Sequence, residues 1–246
     1  MTVLPESSPV IVNIRELRFR YPRAAEDVLL IDGLEVRRGE HVFVRGPSGC
    51  GKTTLLSLVA GVLTATHGRI ELVGTDWAAV APSARDRVRC DHVGYVFQQF
   101  NLLPYLSVVD NVTLPCRFST VRRERAGRAG AAVRSEAVEL LSCMGIDPLL
   151  QRRRACELSV GQQQRVAAAR ALIGQPDLVI ADEPTSALDE GTRETFMQVL
   201  QEACRDAGSS LMFVSHDSRL AARFSRLVDL TLINRAIRVD EAAAPA

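Results

Sequence analysis

Hydrophobic positions along the chain follow two rhythms. Short segments of alternating or β-branched residues recur at 10–20, 28–36, 41–44, 69–73, 93–97, 178–181, 211–214 and 227–234, and each predicts a strand. Between several of them the apolar spacing widens to that of a helix. Leu55, Leu58, Val59 and Val62 share one face after Lys52, and Phe196, Val199, Leu200 and Ala203 share one after Asp189. Strand alternating with helix predicts an α/β fold with a mostly parallel sheet, and the strand-rich opening predicts an added antiparallel β layer. The stretch from 101 to about 156 breaks the rhythm: strand signals are few, Pro104 and Pro115 punctuate it, and an Arg/Ala/Glu-rich run over 121–144 predicts a helix. We read it as a helical lobe inserted into the α/β core. The expected organisation is a single domain over 10–240, with its core at 10–98 and 165–240 and its lobe at about 99–164, followed by a frayed Ala/Pro tail at 241–246.

The 246 residues are 47% hydrophobic and 24% charged, a balance that suits a globular unit and excludes disorder, collagen and coiled coil. With 30 Lys+Arg against 29 Asp+Glu the formal net charge is +1. No overall field draws nucleic acid, none is expected as a partner, and any bound anion must be held locally. Lys52 is the only lysine among those basic residues. No basic region precedes an apolar run near the amino terminus, and no stretch reaches the roughly 18 apolar residues of a spanning helix. A cytoplasmic protein is therefore expected. The six cysteines, Cys50, Cys90, Cys116, Cys143, Cys156 and Cys204, are scattered without a Cys-x-x-Cys pair, in keeping with free thiols in a reducing compartment.

The local anion site has a clear candidate. Gly46-Pro47-Ser48-Gly49-Cys50-Gly51-Lys52-Thr53 fits the pattern Gly-x4-Gly-Lys-Ser/Thr and lies between the predicted strand 41–44 and the helix that begins around Thr54. Glycines let such a loop curl until its N–H groups converge, and the following helix adds the partial positive charge of its amino end; both favour a polyphosphate. Lys52 is placed to reach the terminal phosphates as a compact charge, and the Thr53 hydroxyl to ligate Mg2+. The one ammonium in an arginine-rich chain thus falls where a planar guanidinium does not fit. Farther on, the apolar run Leu178-Val179-Ile180-Ala181 ends in Asp182 and Glu183. Asp182 is suited to hold Mg2+ through water and Glu183 to act as base toward an attacking water.

Leu158-Ser159-Val160-Gly161-Gln162 narrows the field. Ser159 and Gln162 have the spacing of a capping box, which opens a helix whose amino end attracts anions. The run also resembles the signature Leu-Ser-Gly-Gly-Gln of ATP-binding cassette proteins, and Gln163-Gln164-Arg165-Val166-Ala167 continues the likeness, while Val160 departs from the usual glycine. The resemblance implies a P-loop NTPase (RecA-like) core with an antiparallel β layer and an inserted helical lobe, with ATP and Mg2+ as ligands. It also implies a second copy of the chain, whose Ser159, Gly161 and Gln162 meet the terminal phosphate of ATP held by Gly46 to Thr53 and Thr54 of the first. Tyr21 resembles the aromatic that stacks on adenine, or is an exposed aromatic at a strand end. Gln98, rather than its neighbour Gln99, resembles the glutamine that meets Mg2+ and links core to lobe. Ser186-Ala187-Leu188-Asp189 resembles the loop that crosses to the partner, although Asp189 also suits a helix cap. His216, after Val214 and Ser215, resembles the switch histidine beside the terminal phosphate. Glu183, His216 and Gln98 are then the catalytic candidates, and Thr53, Gln98 and Asp182 the metal candidates.

Coupling is read from the lobe. Phe100-Asn101-Leu102-Leu103-Pro104-Tyr105-Leu106 is unusually apolar for a surface loop and either meets a partner or packs inside the lobe. In cassette transporters this region receives a helix of the integral-membrane permease subunit. Gly94 to Pro104, with Asp110-Asn111-Val112, is most similar to ATPases of the macrolide-exporter, lipoprotein-releasing and heterocyst-glycolipid-exporter group, whose membrane subunits act on lipids, lipoproteins or peptides. The expectation is a transport ATPase peripheral on the inner face of the cell membrane. The alternative is a cytoplasmic cassette ATPase that regulates assembly, of the iron–sulfur or cell-division type. Few residues follow Asp240, which argues against the carboxy-terminal regulatory domain of sugar and methionine importers. The lack of heptads argues against the coiled-coil DNA-repair relatives. Arg122, Arg123, Arg125, Arg128 and Arg152 to Arg154 are read as a solvated face.

Overall fold

A computed structural model describes residues 8–127, 130–186 and 188–237. The chain forms β1 (Val10–Phe19) and β2 (Leu29–Arg37), then β3 (His41–Arg45) and α1 (Lys52–Val59), then β4 (His67–Leu72) and the two-residue β5 (Thr75–Asp76). Helix α2 (Pro82–His92) leads into β6 (Val93–Val96). The lobe follows with α3 (Val108–Thr113), α4 (Pro115–Phe118), α5 (Thr120–Arg125) and α6 (Gly130–Cys143), and α7 (Val160–Leu172) returns the chain to the core. The chain then passes through β7 (Leu178–Asp182), α8 (Glu190–Asp206), β8 (Ser210–Val214), β9 (Arg226–Asp229) and α9 (Leu230–Ile233).

Two sheets result, as the strand pattern predicts. An antiparallel one runs β2-β1-β4-β5, and a parallel one runs β6-β7-β8-β3-β9. Every residue of β7 and of β8 is buried, the mark of parallel strands covered on both faces. Their pleat divides the interior. Phe43, Val179, Ala181, Leu211 and Phe213 face a core shared with α7, α8 and the lobe, whereas Val42, Val44, Ile180, Met212 and Val214 face a second core with α1 and the antiparallel sheet. Helix α1 is therefore clamped between the sheets, which fixes the loop leading into it. The expected lobe boundaries fall at the turn after β6 and within the first turns of α7.

Three expectations are corrected. The predicted strand 227–234 stops at Asp229, because its carboxylate accepts from the Thr231 N–H at 3.0 Å and so caps α9. The predicted helix over 121–144 is two helices, α5 ending at Arg125 and α6 starting at Gly130; Arg128 lies outside the described residues, as do Ala187 and the expected frayed tail. Arg122 is not part of a solvated face: it is 2% exposed, and its guanidinium donates to the carbonyls of Ile173, Ala171 and Val93 at 2.8, 2.6 and 3.4 Å. Gly174 sits against it with φ of 66°, and a Cβ there would come within 2.4 Å of the Arg122 carbonyl oxygen. Nearby, Arg125 reaches Asp177, which also binds Arg38 and His92, so one buried carboxylate ties together the lobe, α2 and the turn before β3. Among the described residues no helix is long and apolar enough to cross a membrane.

Candidate active site

The carboxyl ends of β3, β6, β7 and β8 lie side by side, and each carries a candidate residue, as expected of a ligand site in an open parallel sheet. After β3 the chain turns through Gly46–Gly51 into α1. Gly51 is the helix cap with φ of 98°, and a Cβ there would meet Leu29 Cδ2 at 2.8 Å, so only glycine fits. No side chain caps α1, which leaves its first N–H groups aimed into the loop. Pro47, Ser48, Gly49 and Thr53 are exposed, whereas the Cys50 side chain is buried. Lys52 is only 6% exposed, its Nζ donating to the carbonyls of Gly46 and Pro47 at 2.8 and 2.9 Å.

Asp182 ends β7, and the Thr53 hydroxyl lies close enough to influence its carboxyl. Burial pushes its carboxyl above the ordinary value, as does the neighbouring charge of Glu183, while Thr53 and Lys52 pull it back. Glu183 has a left-handed φ of 47°, which a non-glycine residue adopts only under constraint. The constraint is the adjacent strand: the Glu183 N–H donates to the Val214 carbonyl at 3.0 Å. This turn presents the Glu183 carboxylate to His216, whose Nε2 lies 2.6 Å from Oε1. His216 follows Ser215, whose hydroxyl accepts from the Asp217 N–H at 3.1 Å, and Asp217 is in turn held by Arg193 at 2.6 Å.

Gln98 occupies the turn two residues beyond Val96, which pairs with Ala181, and is exposed at the same carboxyl end of the sheet as Asp182. The apolar run behind it divides: Phe100 is buried in the core and Tyr105 is 68% exposed. Phe100 and Asn101 both have left-handed φ, and the Arg170 guanidinium of α7 donates to both their carbonyls, at 2.5 and 2.6 Å. No periodicity marks Arg170, one arginine among many. Asn111 pins the same loop and is wholly buried, donating to the carbonyls of Leu103 and Ser107 at 3.0 and 3.1 Å. Beside these residues lies a groove of about 290 Å³ lined by Val62, Tyr95, Phe97, Leu114 and Phe118.

Tyr21 stands edge-on to Phe19 at 4.9 Å, and its hydroxyl lies 3.1 Å from Thr54 Oγ1. The exposed ring is thereby placed beside the start of α1, and the Thr54 hydroxyl is engaged by it. Ser159 and Gln162 form the expected capping box, with Ser159 N–H to Gln162 Oε1 at 2.9 Å and Gln162 N–H to Ser159 Oγ at 3.3 Å. Ser159 and Val160 are exposed, and Gly161 lies over Leu188. Among the described residues this helix end makes no hydrogen bond to residues 46–54, Asp182, Glu183 or His216. Asp189 caps α8 by accepting from the Thr192 N–H at 3.0 Å.

A glycine-rich loop running from a strand into a helix, a buried acid beside its threonine, and a second acid held by a histidine are the arrangement expected of a nucleotide-hydrolysing P-loop protein. Residues 32–186 match the family model described as ABC transporter. The lipoprotein-releasing system ATP-binding protein LolD of Novosphingobium aromaticivorans is 39% identical over 91% of this chain and 97% of its own length. The macrolide export ATP-binding/permease protein MacB of Rhodopseudomonas palustris is 35% identical over 89% of this chain, which spans 32% of that longer protein. Among solved structures, the dimeric post-hydrolysis state of the ATP-binding cassette MJ0796, bound to ADP and Pi, matches with a TM-score of 0.79 at 33% identity, covering 89% of this chain and 94% of that one. The chain belongs to the ABC transporter family, and it is an ATP-hydrolysing subunit of that family.

Proposed function

We propose that two copies of this chain close head to tail around two ATP molecules, hydrolyse them, and drive a separate integral-membrane permease from the inner face of the cell membrane. The observation that carries this reading is that the two helix ends suited to phosphate are not hydrogen-bonded to each other within one chain. The Gly46–Thr53 loop lies at the carboxyl end of β3, and among the described residues the exposed Ser159 end of α7 makes no hydrogen bond to it in the same chain. A second copy turned head to tail brings its own Ser159, Gly161 and Gln162 against the terminal phosphate.

In this reading the loop amides and Lys52 hold the phosphates while Tyr21 stacks on the base. The Thr53 hydroxyl and Asp182 carboxylate suit Mg2+: they are hard oxygen donors close enough for the hydroxyl to lower the carboxyl's pKa. Mg2+, when bound there with Gln98 nearby, neutralises charge on the phosphates. Glu183 takes a proton from the water that attacks the terminal phosphorus as the bond to the bridging oxygen breaks and ADP leaves. His216 donates from Nε2 to Glu183 and keeps that carboxylate on the phosphate side.

The groove bordered by Phe97 and Phe118 is the surface we assign to the permease, since these rings are 39% and 71% exposed. It favours transport over the assembly-regulating alternative. The LolD and MacB relatives suggest an amphiphilic cargo, a lipid, lipoprotein or peptide, moved by that permease. Capture from detergent-solubilised membranes tests the reading. The parent chain retains an integral-membrane protein and Phe118→Asp loses it while keeping its basal ATPase activity; retention of no membrane protein by the parent contradicts transport.

A further inference from the structure

The segment 229–234 grips the outside of the phosphate loop at both ends. At the entry, Asp229 Oδ2 accepts from Arg45 Nε at 2.8 Å, and Arg45 immediately precedes Gly46. Leu230, fully buried, packs beneath the loop: a Cβ on Gly46 would stand 3.5 Å from Leu230 Cβ. At the exit, Asn234 Nδ2 donates to the Cys50 carbonyl at 3.2 Å. The same Nδ2 donates to the Val28 carbonyl at 2.9 Å, and Oδ1 accepts from the N–H groups of Leu30 and Ala236 at 2.8 and 3.1 Å. Asn234 is 2% exposed, and both its donors and both its acceptor positions are used.

The partners of that amide connect two halves of the nucleotide site. The Cys50 carbonyl and the Gly51 N–H belong to one trans peptide, so they point in opposite directions. Holding the oxygen outward against Asn234 turns the Gly51 N–H inward, toward the centre of the loop. Val28 and Leu30 belong to the hairpin that carries Tyr21, closed by Val28 N–H to the Phe19 carbonyl at 2.8 Å. One side chain thus fixes both the tilt of a loop peptide and the spacing between the loop and the tyrosine.

We propose that Asn234 is a positioning residue for ATP, acting through the Cys50–Gly51 peptide to aim a backbone donor at the phosphates. The proposal rests on the reading that residues 46–53 hold those phosphates. Asn234→Asp tests it, because the variant keeps the size and the acceptor bonds and removes both donations; Asn234→Ala removes all four. KM and kcat for ATP are measured on the folded variants, together with competition by tripolyphosphate against a fluorescent ATP analogue. Tripolyphosphate carries the phosphates without the base. Losing the donation to the Cys50 carbonyl, the one of the two that acts on the loop, and leaving that oxygen unpaired is expected to raise KM about tenfold. Tripolyphosphate binding should weaken by the same factor, with kcat within about twofold of the parent. A KM within about twofold of the parent in folded Asn234→Asp, or a loss confined to the analogue and absent for tripolyphosphate, overturns the positioning role. Lys52→Ala separates the two readings: unchanged ATP binding there overturns the phosphate-loop reading itself, whereas its loss beside normal Asn234 variants overturns only the role of Asn234.

Discussion

His216 Nε2 lies 2.6 Å from Glu183 Oε1, a contact that joins the end of β8 to the end of β7. The left-handed φ of 47° at Glu183 makes the contact possible, because it turns the carboxylate away from the strand axis and toward the neighbouring strand end. Glu183→Gln keeps the volume and removes the proton acceptor. ATP turnover is expected to fall by about a hundredfold or more, the usual contribution of a positioned general base, with ATP binding retained. Phosphate release and nucleotide binding measured side by side check this.

Lys52→Arg conserves the charge but not the shape. The Lys52 ammonium sits between two loop carbonyls at 2.8 and 2.9 Å and is 6% exposed, and a planar five-donor fork does not fit that space. The variant should lose at least about tenfold in kcat/KM for ATP, a difference of about 1.4 kcal/mol. Steady-state kinetics at varied ATP give the value.

Arg122 is a fastener between lobe and core. Arg122→Ala leaves the carbonyls of Ile173 and Ala171 buried without their donor and opens space beside Gly174. We expect a loss of about 3 kcal/mol in stability and a Tm lower by roughly 6–12 °C. The contrasting change Arg123→Ala, on an exposed residue, should shift Tm by no more than about 1–2 °C. Thermal unfolding followed by circular dichroism compares them.

Acid sensitivity should trace in part to His41. Burial, with the charge of Arg205 adding to it, lowers its pKa from 6.5 to about 4, against a hydrogen bond to Ser209 that raises it. The folded chain therefore keeps His41 neutral while the unfolded chain protonates it. Stability is full above the unfolded value, falls as pH drops from about 6.5 toward 4, and levels off for this group below that. Urea midpoints across this range should slope less in His41→Leu than in the parent.

What the sequence made legible is what lies close along the chain. Lys52 and Thr53 stand between a strand and a helix in one unbroken motif, Asp182 and Glu183 follow directly on an apolar run, and the Ser159–Gln162 box is a three-residue spacing. Contacts that join distant segments carried no such mark. Segment 227–234 alternates like a strand, and only the Asp229 carboxylate on the Thr231 N–H turns it into a helix. Arg122 reads as one charge in an arginine run because the carbonyls that hold it belong to Val93, Ala171 and Ile173, far along the chain. Arg170 was hidden in the same way, its partners being two carbonyls of the loop after β6. The apolar run 100–106 showed a buried or partnered surface without telling Phe100, which packs inward, from Tyr105, which does not.

The central claim is that the Ser159 helix end of one copy completes the site on the other. Size exclusion with light scattering, in Mg-ATP, of Glu183→Gln and of the double variant Glu183→Gln with Ser159→Arg tests it most directly. The account predicts a dimer holding two ATP for the first, and for the second a monomer that still binds one ATP through its intact loop. A double variant that dimerises as fully as the single one, or a Glu183→Gln chain that binds ATP and stays monomeric, contradicts it.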